Sequence, residues 1–296
     1  STDGAQTYII ANPGEWSQTE QDKLEDRIAR TDDPQTAARL TRQLALYKGI
    51  RVFDRPKRTY DALEVSAAHQ FSRGLMLQAS YTHSRTQGNY PGSVSYDNGQ
   101  IDPNISSQYD LIELLSNRNG RLPQDRPHSV KVDGYYTFDL GKEQKATVGT
   151  RIRLLSGIPQ NALGAHYLYG ADESFLLPRG SLGRGEIEHG VDLHLAYARR
   201  VSKDVTAEVF ADIFNLYNTQ ATFDVDQTYA PQYRPGGGAN NVNPIVGGTY
   251  GDLIWAKTID SRGVESSLPT ARNPNYGRTT SRYAPTSARI GFRLTF

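Results

Sequence analysis

The sequence of 296 residues contains no cysteine, one methionine and two tryptophans. The absence of cysteine excludes disulfides, zinc-thiolate sites and a cysteine nucleophile. The formal net charge is only +1, because 33 basic residues are balanced by 32 acidic ones. No basic excess is left to neutralise phosphates, and we therefore expect no nucleic-acid partner.

Long apolar runs are also missing, and the mean hydropathy is −0.61. These two properties exclude a transmembrane helix, which needs about 20 consecutive apolar residues. They do not exclude a transmembrane β-barrel, because barrel strands alternate in polarity and barrel loops are polar. The chain opens on STDGAQTYII, in which no signal peptide is recognisable.

Strict two-residue alternation is the main pattern that is present. In the closing segment TSARIGFRLTF, apolar side chains such as Ile290 and Phe292 alternate with Arg289 and Arg293. The same pattern recurs in six further segments: 60–71, 75–82, 129–138, 145–155, 191–200 and 205–214. With a less regular segment near Tyr8–Ala11, these predict about eight antiparallel strands, each with one apolar and one polar face.

Charged residues fall on the polar face of these strands. If the strands form a barrel, that face lines the lumen, because the apolar face must meet lipid. The candidate lumen residues are Glu64, Lys131, Asp133, Arg151, Arg153, Asp192, Glu208, Asp212, Arg289 and Arg293. A soluble β-sandwich shows a similar split between its faces, so this pattern alone leaves both architectures open.

The connections between strands favour the barrel. They alternate between short turns at 72–74, 140–144 and 201–204 and long loops at 12–59, 85–126, 156–190 and 215–286. Loops this long are uncommon in compact soluble domains, whereas outer-membrane barrels combine short periplasmic turns with long extracellular loops. We expect two amphipathic helices in the first loop, with Leu24 and Ile28 on one and Leu40, Leu44 and Tyr47 on the other.

Catalytic and metal-binding motifs are not evident. The six histidines lack metal-ligand spacing, and no GxSxG nucleophile motif is present. The segment DNGQIDPN offers Asp97 and Asp102 as ligands for Ca²⁺, but it departs from the EF-hand pattern. An Asx-rich turn is the favoured interpretation of this segment and of FDVDQ at 223–227. We expect no cofactor and no enzyme activity.

Several segments resemble the C-terminal barrel region of TonB-dependent outer-membrane receptors. They are DIFNLYNTQ at 212–220, the hairpin that begins RTYDALEVSAAHQF, and DRPHSVKVDGYYTF at 125–138. The closing part, from VNPIVGGTYGDLIWAKTID to the final strand, is similar to the Oar-like subgroup. The matches cover most of 60–296, and each is weak alone, whereas their order and spacing make the set specific.

This resemblance implies an all-β, antiparallel transmembrane barrel of about 22 strands with a plugged lumen, of which this chain forms the C-terminal part. It implies a location in the Gram-negative outer membrane, contact with its lipid, transport of a substrate, and coupling to TonB through an N-terminal region. Phe292, Leu294 and Phe296 correspond to the terminal signal read by the barrel-assembly machinery. The plug, the TonB box and the upstream strands of the family are not seen in this sequence.

Two other functions remain open from the sequence. A self-contained eight-stranded barrel would serve adhesion or partner binding through its loops, with a surface protein as partner. An outer-membrane hydrolase is the third alternative, although no nucleophile–base pair supports it. The sequence does not identify the substrate, the direction of transport or the oligomeric state.

Overall fold

The computed structural model describes residues 16–48, 54–71, 74–97, 107–166, 169–231, 241–259 and 264–296. Its helices are α1 (Trp16–Ala29) and α2 (Pro34–Lys48), with short 3₁₀ helices at Ser107–Tyr109, Ile112–Leu115 and Tyr250–Trp255. Its strands are β1 (Arg58–Phe71), β2 (Leu75–Gly88), β3 (Gly120–Arg121), β4 (His128–Gly141), β5 (Gln144–Leu155), β6 (Leu163–His166), β7 (Gly170–Phe175), β8 (Glu188–Arg200), β9 (Thr206–Phe214), β10 (Thr222–Val225), β11 (Thr228–Ala230), β12 (Asn241–Val242), β13 (Thr258–Ile259), β14 (Thr279–Arg282) and β15 (Ser287–Thr295).

Seven long strands form one antiparallel sheet in the order β1-β2-β4-β5-β8-β9-β15, and the short β3 pairs with β2. These are the seven strands that alternation predicts. The expected strand near Tyr8–Ala11 lies outside the described residues. Within the described part of the chain, β1 and β15 each have a single long-strand neighbour, so both edges of this sheet are open.

The seven long strands are 9 to 14 residues long, and several exceed the 9 to 11 residues that a tilted strand needs to cross a bilayer. The extra length lies mainly at the ends that join the long loops. There, backbone pairing continues into polar sequence, as in the pair Arg58↔Gly88. Apolar alternation marks only the part of a strand that contacts an apolar medium, so it underestimates the length of the hydrogen-bonded ladder.

Short turns connect the strands at the opposite end of the sheet. Between β4 and β5 the turn consists of Lys142 and Glu143, with φ values of 50° and 62°. Positive φ at both central residues is the requirement of a type I′ turn, whose twist matches that of the flanking strands. Gly74, with φ of 91°, precedes β2, and a Cβ there would collide with the carbonyl oxygen of Thr137. The turn at Lys142 and Glu143 therefore fixes the register of the β4–β5 hairpin.

The helices α1 and α2 form a hairpin with a core of its own. Leu24, Leu40 and Tyr47 are buried against each other, and Ile28 and Leu44 pack onto them. Both helices and their apolar positions are confirmed. Asp33 caps α2 by accepting a hydrogen bond from the Thr36 backbone N–H at 2.9 Å. Interaction with the Thr36 side chain, followed by this backbone hydrogen bond, lowers the pKa of the Asp33 carboxyl. No described helix combines the length and apolar character that crossing a membrane requires.

The long loops pack together into what we call the loop cluster, the described residues of 89–127, 156–187 and 215–286. Its small sheets are β11-β6-β7, β10-β14 and β12-β13. Its core consists of Ala162, Ala165, Leu176, Leu177, Tyr229, Ala230, Val242, Leu253 and Ala256. The loops are therefore folded against one another, which the sequence pattern did not predict.

Candidate functional site

The strand register places all ten candidate lumen residues on one face of the main sheet, which we call the charged face. Lys131 is opposite Arg153, and Asp133 is opposite Arg151, which is opposite Asp192. Two residues farther along the strands, His194 is opposite Asp212, and Asp212 is opposite Arg289. Glu64 lies on the same face of β1, opposite Thr82. Assigning this face to the lumen remains a prediction.

Neighbouring strands form ion pairs across the charged face. The Arg151 Nε lies 2.6 Å from an Asp133 carboxylate oxygen, and Arg153 lies 3.8 Å from Asp192. Asp192 also accepts a hydrogen bond from the Asn215 backbone N–H at 2.9 Å. Cross-strand pairs of opposite charge stabilise a sheet modestly, by about 0.2–1 kcal/mol each. Within the described part of the chain, Glu64 and Lys131 form no ion pair.

Asp212 is the centre of a second group near the C-terminal edge. Its two carboxylate oxygens contact His194 Nδ1 and Arg289 Nε, each at 2.6 Å. The carboxylate side chain is 11% exposed, whereas that of Arg289 is 67% exposed. A similar pair joins Arg293 to Glu208 at 3.1 Å. In both pairs the carboxylate side chain is therefore the more shielded member and the arginine is the more exposed one.

Phe210 separates the two arginines of β15. The guanidinium carbons of Arg289 and Arg293 lie 5.9 and 5.6 Å from the centre of its ring. Gly291 is directly opposite Phe210, and a Cβ at that position would collide with the ring. Glycine is therefore required for the ring to lie flat across β15 between two cations, an arrangement favoured by cation–π attraction.

Sequence reasoning identified the acidic and basic members of this group but missed Phe210 and Gly291 as parts of it. Phe210 shares the parity of Glu208 and Asp212, and this was the available signal. His194 shares the parity of Asp192 in VDLHLAYARR. The candidate lumen residues were limited to Asp, Glu, Lys and Arg, so Phe210, Gly291 and His194 were not among them.

The opposite face of the sheet, the apolar face, exposes large hydrophobic side chains. Val65 is 59% exposed and Ile290 is 83% exposed, and Leu63 and Val209 are similar. The proposed assembly signal is also exposed: Phe292 and Leu294 lie on β15, and Phe296 follows its last residue. A soluble sandwich would bury such a face in its core. Contiguous exposure over seven strands leaves this face available to an apolar environment, and its assignment to lipid remains a prediction.

The motif DIFNLYNTQ forms a turn that closes the root of the last long loop. Asn215 and Asn218 both have φ of 53°, a left-handed conformation that asparagine tolerates. The Asn215 side-chain amide donates to the carbonyls of Thr219 and Ala284, each at 2.9 Å. The Thr286 backbone N–H donates to Asn218 at 3.0 Å, so β9 and β15 are joined where the loop leaves the sheet.

The loop cluster contains buried charges. Arg179 lies 3.0 Å from Asp97, and Arg118 lies 3.6 Å from Glu173, with both arginines stacked on Phe175. Burial lowers the pKa of Arg118 to about 10 and also lowers that of Arg179. Both shifts follow from the cost of holding a cation away from water, which the neighbouring carboxylates offset in part.

Of the two candidate calcium ligands, Asp97 and Asp102, the structure describes only Asp97. The Asp97 carboxylate contacts Arg179 and accepts a hydrogen bond from Asn161 at 3.2 Å, while Asp102 lies outside the described residues. In FDVDQ, Asp226 accepts from the Thr228 backbone N–H at 2.9 Å, which is the geometry of an Asx turn. Among the described residues, no group of three or more His, Asp or Glu side chains could hold a metal ion.

Comparisons with known proteins agree with this geometry. A family model described as an outer membrane beta barrel domain matches residues 11–163. The TonB-dependent transporter Oar of Myxococcus xanthus is 40% identical over 255 residues, which is 82% of this chain and 23% of the length of that transporter. The chain thus spans about a quarter of the relative that it matches. No solved structure matches.

Proposed function

The chain belongs to the family of outer-membrane β-barrel domains and lies in the outer membrane; from this we propose that it forms part of the barrel of a TonB-dependent transporter. In this proposal the charged face lines the lumen and the apolar face contacts lipid. The loop cluster forms the receptor surface outside the cell. The chain carries no catalytic step.

The observation that carries the proposal is the separation of charge between the two faces of one sheet. Arginine at the bilayer midplane on the lipid face costs roughly 2–4 kcal/mol, so the face with Arg151, Arg289 and Arg293 is excluded from hydrocarbon. The other face has the exposed Leu63, Val65 and Val209, which lipid accommodates. A transmembrane sheet with these two faces encloses a polar interior.

The ion pairs determine which charged groups the proposed lumen presents. Because Asp212 and Glu208 are more shielded than their partners, Arg289 and Arg293 are the members of each pair that are more accessible from the proposed lumen. Guanidinium groups bind carboxylate and phosphate oxygens through paired hydrogen bonds. We assign to these arginines the contact with acidic groups of a substrate or of a domain that occupies the lumen.

The proposal includes two protein partners, one for energised transport and one for assembly of the barrel. TonB would act through an N-terminal region of the transporter, and the barrel-assembly machinery would read the terminal strand with Phe292, Leu294 and Phe296. The 40% identity to a TonB-dependent transporter supports the assignment of TonB. The assignment of the assembly machinery rests on the exposed aromatic and apolar residues at the end of the last strand. Substrate and direction of transport stay open.

A second function is favoured by one observation in the loop cluster. Tyr250, Ile254 and Trp255, on a single 3₁₀ helix, are each about 60% exposed or more. Exposed apolar groups of this kind mark interaction sites. Adhesion or binding of a surface protein through the loops is therefore the alternative to transport.

The facing of the sheet is tested by spin labels at adjacent positions of β9 in the complete protein. A label at position 209 should be accessible to oxygen and shielded from polar nickel reagents, because Val209 lies on the apolar face. The matched label at position 208 should show the opposite preference, because Glu208 lies on the charged face. Inaccessibility of position 209 to both reagents would place it in a packed core and exclude the membrane assignment.

The transport step is tested with three otherwise identical strains: parental, lacking the transporter, and lacking TonB. Mass spectrometry of medium and periplasm should show the same solutes or proteins displaced in both deletion strains, because a TonB-dependent transporter fails without either component. Displacement in the strain without the transporter alone would contradict energised transport and favour the adhesion alternative.

A further inference from the structure

Two histidines lie side by side on the apolar face, where charged and polar groups are otherwise few. His83 of β2 is directly opposite His128 of β4, and this is the last pair in the register of those two strands. Their ring centres are 5.0 Å apart. Both side chains are exposed and belong neither to the charged face nor to the loop cluster.

The backbone geometry brings these side chains together. The adjacent pair, Ser84 and Pro127, is joined by a backbone hydrogen bond of 2.9 Å. Because hydrogen-bonded and non-hydrogen-bonded pairs alternate along an antiparallel ladder, His83 and His128 occupy a non-hydrogen-bonded position. Side chains are closest at such positions, so the two imidazoles are held within reach of a common ligand.

The spacing matches that of two imidazoles on one metal ion. A Zn–N bond of about 2.1 Å places the metal roughly 3.2 Å from the centre of a ligating ring, so two rings at a tetrahedral angle lie roughly 5 Å apart. The observed separation is 5.0 Å. No side-chain movement is needed to bring the ring centres to this distance.

Tyr81 orients one of the two rings. Its hydroxyl oxygen lies 2.9 Å from His128 Nδ1, and the two rings are nearly parallel at 14°. When Nδ1–H donates to the tyrosine oxygen, the lone pair of Nε2 is free for a metal. Metal-ligating histidines regularly donate their other ring N–H to a nearby oxygen in this manner. His128 is further fixed by its backbone N–H, which donates to Ser156 Oγ at 3.0 Å.

The location gives the pair access to aqueous ions. We take Leu75, the first residue of β2, as the inner border of the apolar band. His83 lies eight residues farther along β2, which is about 27 Å at roughly 3.4 Å per residue. At a strand tilt of about 40°, this distance corresponds to about 20 Å along the membrane normal. This is close to the outer border of an apolar band about 25 Å tall. The pair therefore lies where lipid gives way to water.

From these observations we propose that His83 and His128 form a cross-strand binding site for a divalent transition-metal ion of the Zn²⁺ and Cu²⁺ class. Imidazole nitrogens suit these metals. The protein supplies two ligands, and water or an anionic group of a lipid headgroup supplies the others. A bound ion joins β2 to β4 at the point where the first long loop of the described sheet leaves it.

The test uses Cu²⁺ alone as the probe, with the complete protein purified in detergent. Wild type and the variants His83→Ala, His128→Ala and His189→Ala are compared by titration and by electron paramagnetic resonance. His189 is the matched control, since it is exposed on the apolar face of β8, opposite Leu154. Wild type and His189→Ala should each bind one copper ion through two imidazole nitrogens. His83→Ala and His128→Ala should each lose this two-imidazole spectrum and bind copper with at least tenfold lower affinity.

Folding of each variant is verified by its heat-dependent shift in electrophoresis. If His83→Ala does not fold, His83→Leu replaces it, because leucine suits the apolar face. Equal copper affinity in wild type and in the His83 and His128 variants would overturn the proposal, and so would a wild-type spectrum with one imidazole.

Tyr81→Phe tests the positioning role of the hydroxyl. The two-imidazole spectrum should persist with affinity about tenfold lower, because such partners of metal ligands typically contribute 10–100-fold. Unchanged affinity would overturn the assignment of Tyr81, whereas loss of one nitrogen from the spectrum would show that His128 depends on it for ligation.

Discussion

The main sheet and the loop cluster use the same residue types in opposite ways. On the sheet, Val65 and Ile290 are exposed and the ion pair Arg293–Glu208 lies at the surface. In the loop cluster, Leu163 and Leu176 are 1% exposed or less, and Arg179 is buried with Asp97. The sheet therefore leaves its apolar side chains exposed, as the proposed contact with lipid requires, whereas the loop cluster buries them as a water-soluble core does.

The largest expected effect concerns the open edges of the sheet. Residues 1–296 expressed alone should not give a closed barrel, because β1 and β15 each pair with one long strand within the described residues. Unpaired backbone groups in hydrocarbon cost several kcal/mol each. Refolding in detergent, followed by electrophoresis with and without heating, measures closure. A heat-modifiable, protease-resistant monomer would show that the segment is sufficient.

The buried pair of the loop cluster should be far more sensitive than an exposed pair of the sheet. Asp97→Ala leaves Arg179 buried without its carboxylate, and we expect a loss of about 3–5 kcal/mol in the stability of the cluster. Glu208→Ala removes the partner of an arginine that is largely in solvent, and should cost at most about 1 kcal/mol. Hydrogen exchange of the complete protein measures both, and equal effects would remove the distinction between the regions.

An arginine introduced on the apolar face should destabilise the sheet. For Val209→Arg in the complete protein we expect a loss of about 2–4 kcal/mol, as for arginine on the lipid face of other barrels. The matched change Glu208→Gln, one residue away on the charged face, keeps the side-chain size and should change stability little. Equilibrium unfolding in urea compares them, and a tolerated Val209→Arg would mean that this face does not contact hydrocarbon.

The smallest expected effect lies in the helical hairpin. The hydrogen bonds from the Thr36 side chain and then from its backbone N–H lower the pKa of Asp33 below its ordinary value of 3.8. This contribution is present above pH 3.8 and is lost as the pH falls through the lower pKa of the folded state. Asp33→Ala should reduce protection of the α2 amides at neutral pH, whereas Asp33→Ser should retain it, because serine also caps helices. Equal protection in both variants would show that the cap is dispensable.

Alternation predicted the seven strands and the side of the sheet on which each charge lies, because strand side chains alternate with a period of two residues. It could not predict partners. Asp212 contacts His194 and Arg289, and Arg289 is 77 residues farther along the chain, so the pairing depends on strand order and register. The position of Phe210 over Gly291, between Arg289 and Arg293, depends on the same register.

The loop cluster could not be predicted for a different reason. Its strands are two to six residues long, too short for periodicity to be recognised. Its buried apolar residues come from segments far apart in the chain, such as Leu176 and Leu253. The apolar run Phe175–Leu177 was the one local sign of burial. The helical hairpin, with four turns per helix, was predicted because its periodicity is long enough to read.

The closed root of the last loop has a consequence for how such a receptor can change. Asn215, Asn218 and Thr286 fix the two ends of the 215–286 segment beside each other, independently of what lies between them. Doubling the length of a closed loop costs only about 0.6 kcal/mol in chain entropy. Segments between these hydrogen-bonded ends can therefore be inserted or exchanged while β9 and β15 keep their alignment. The loop cluster and the main sheet can then evolve separately.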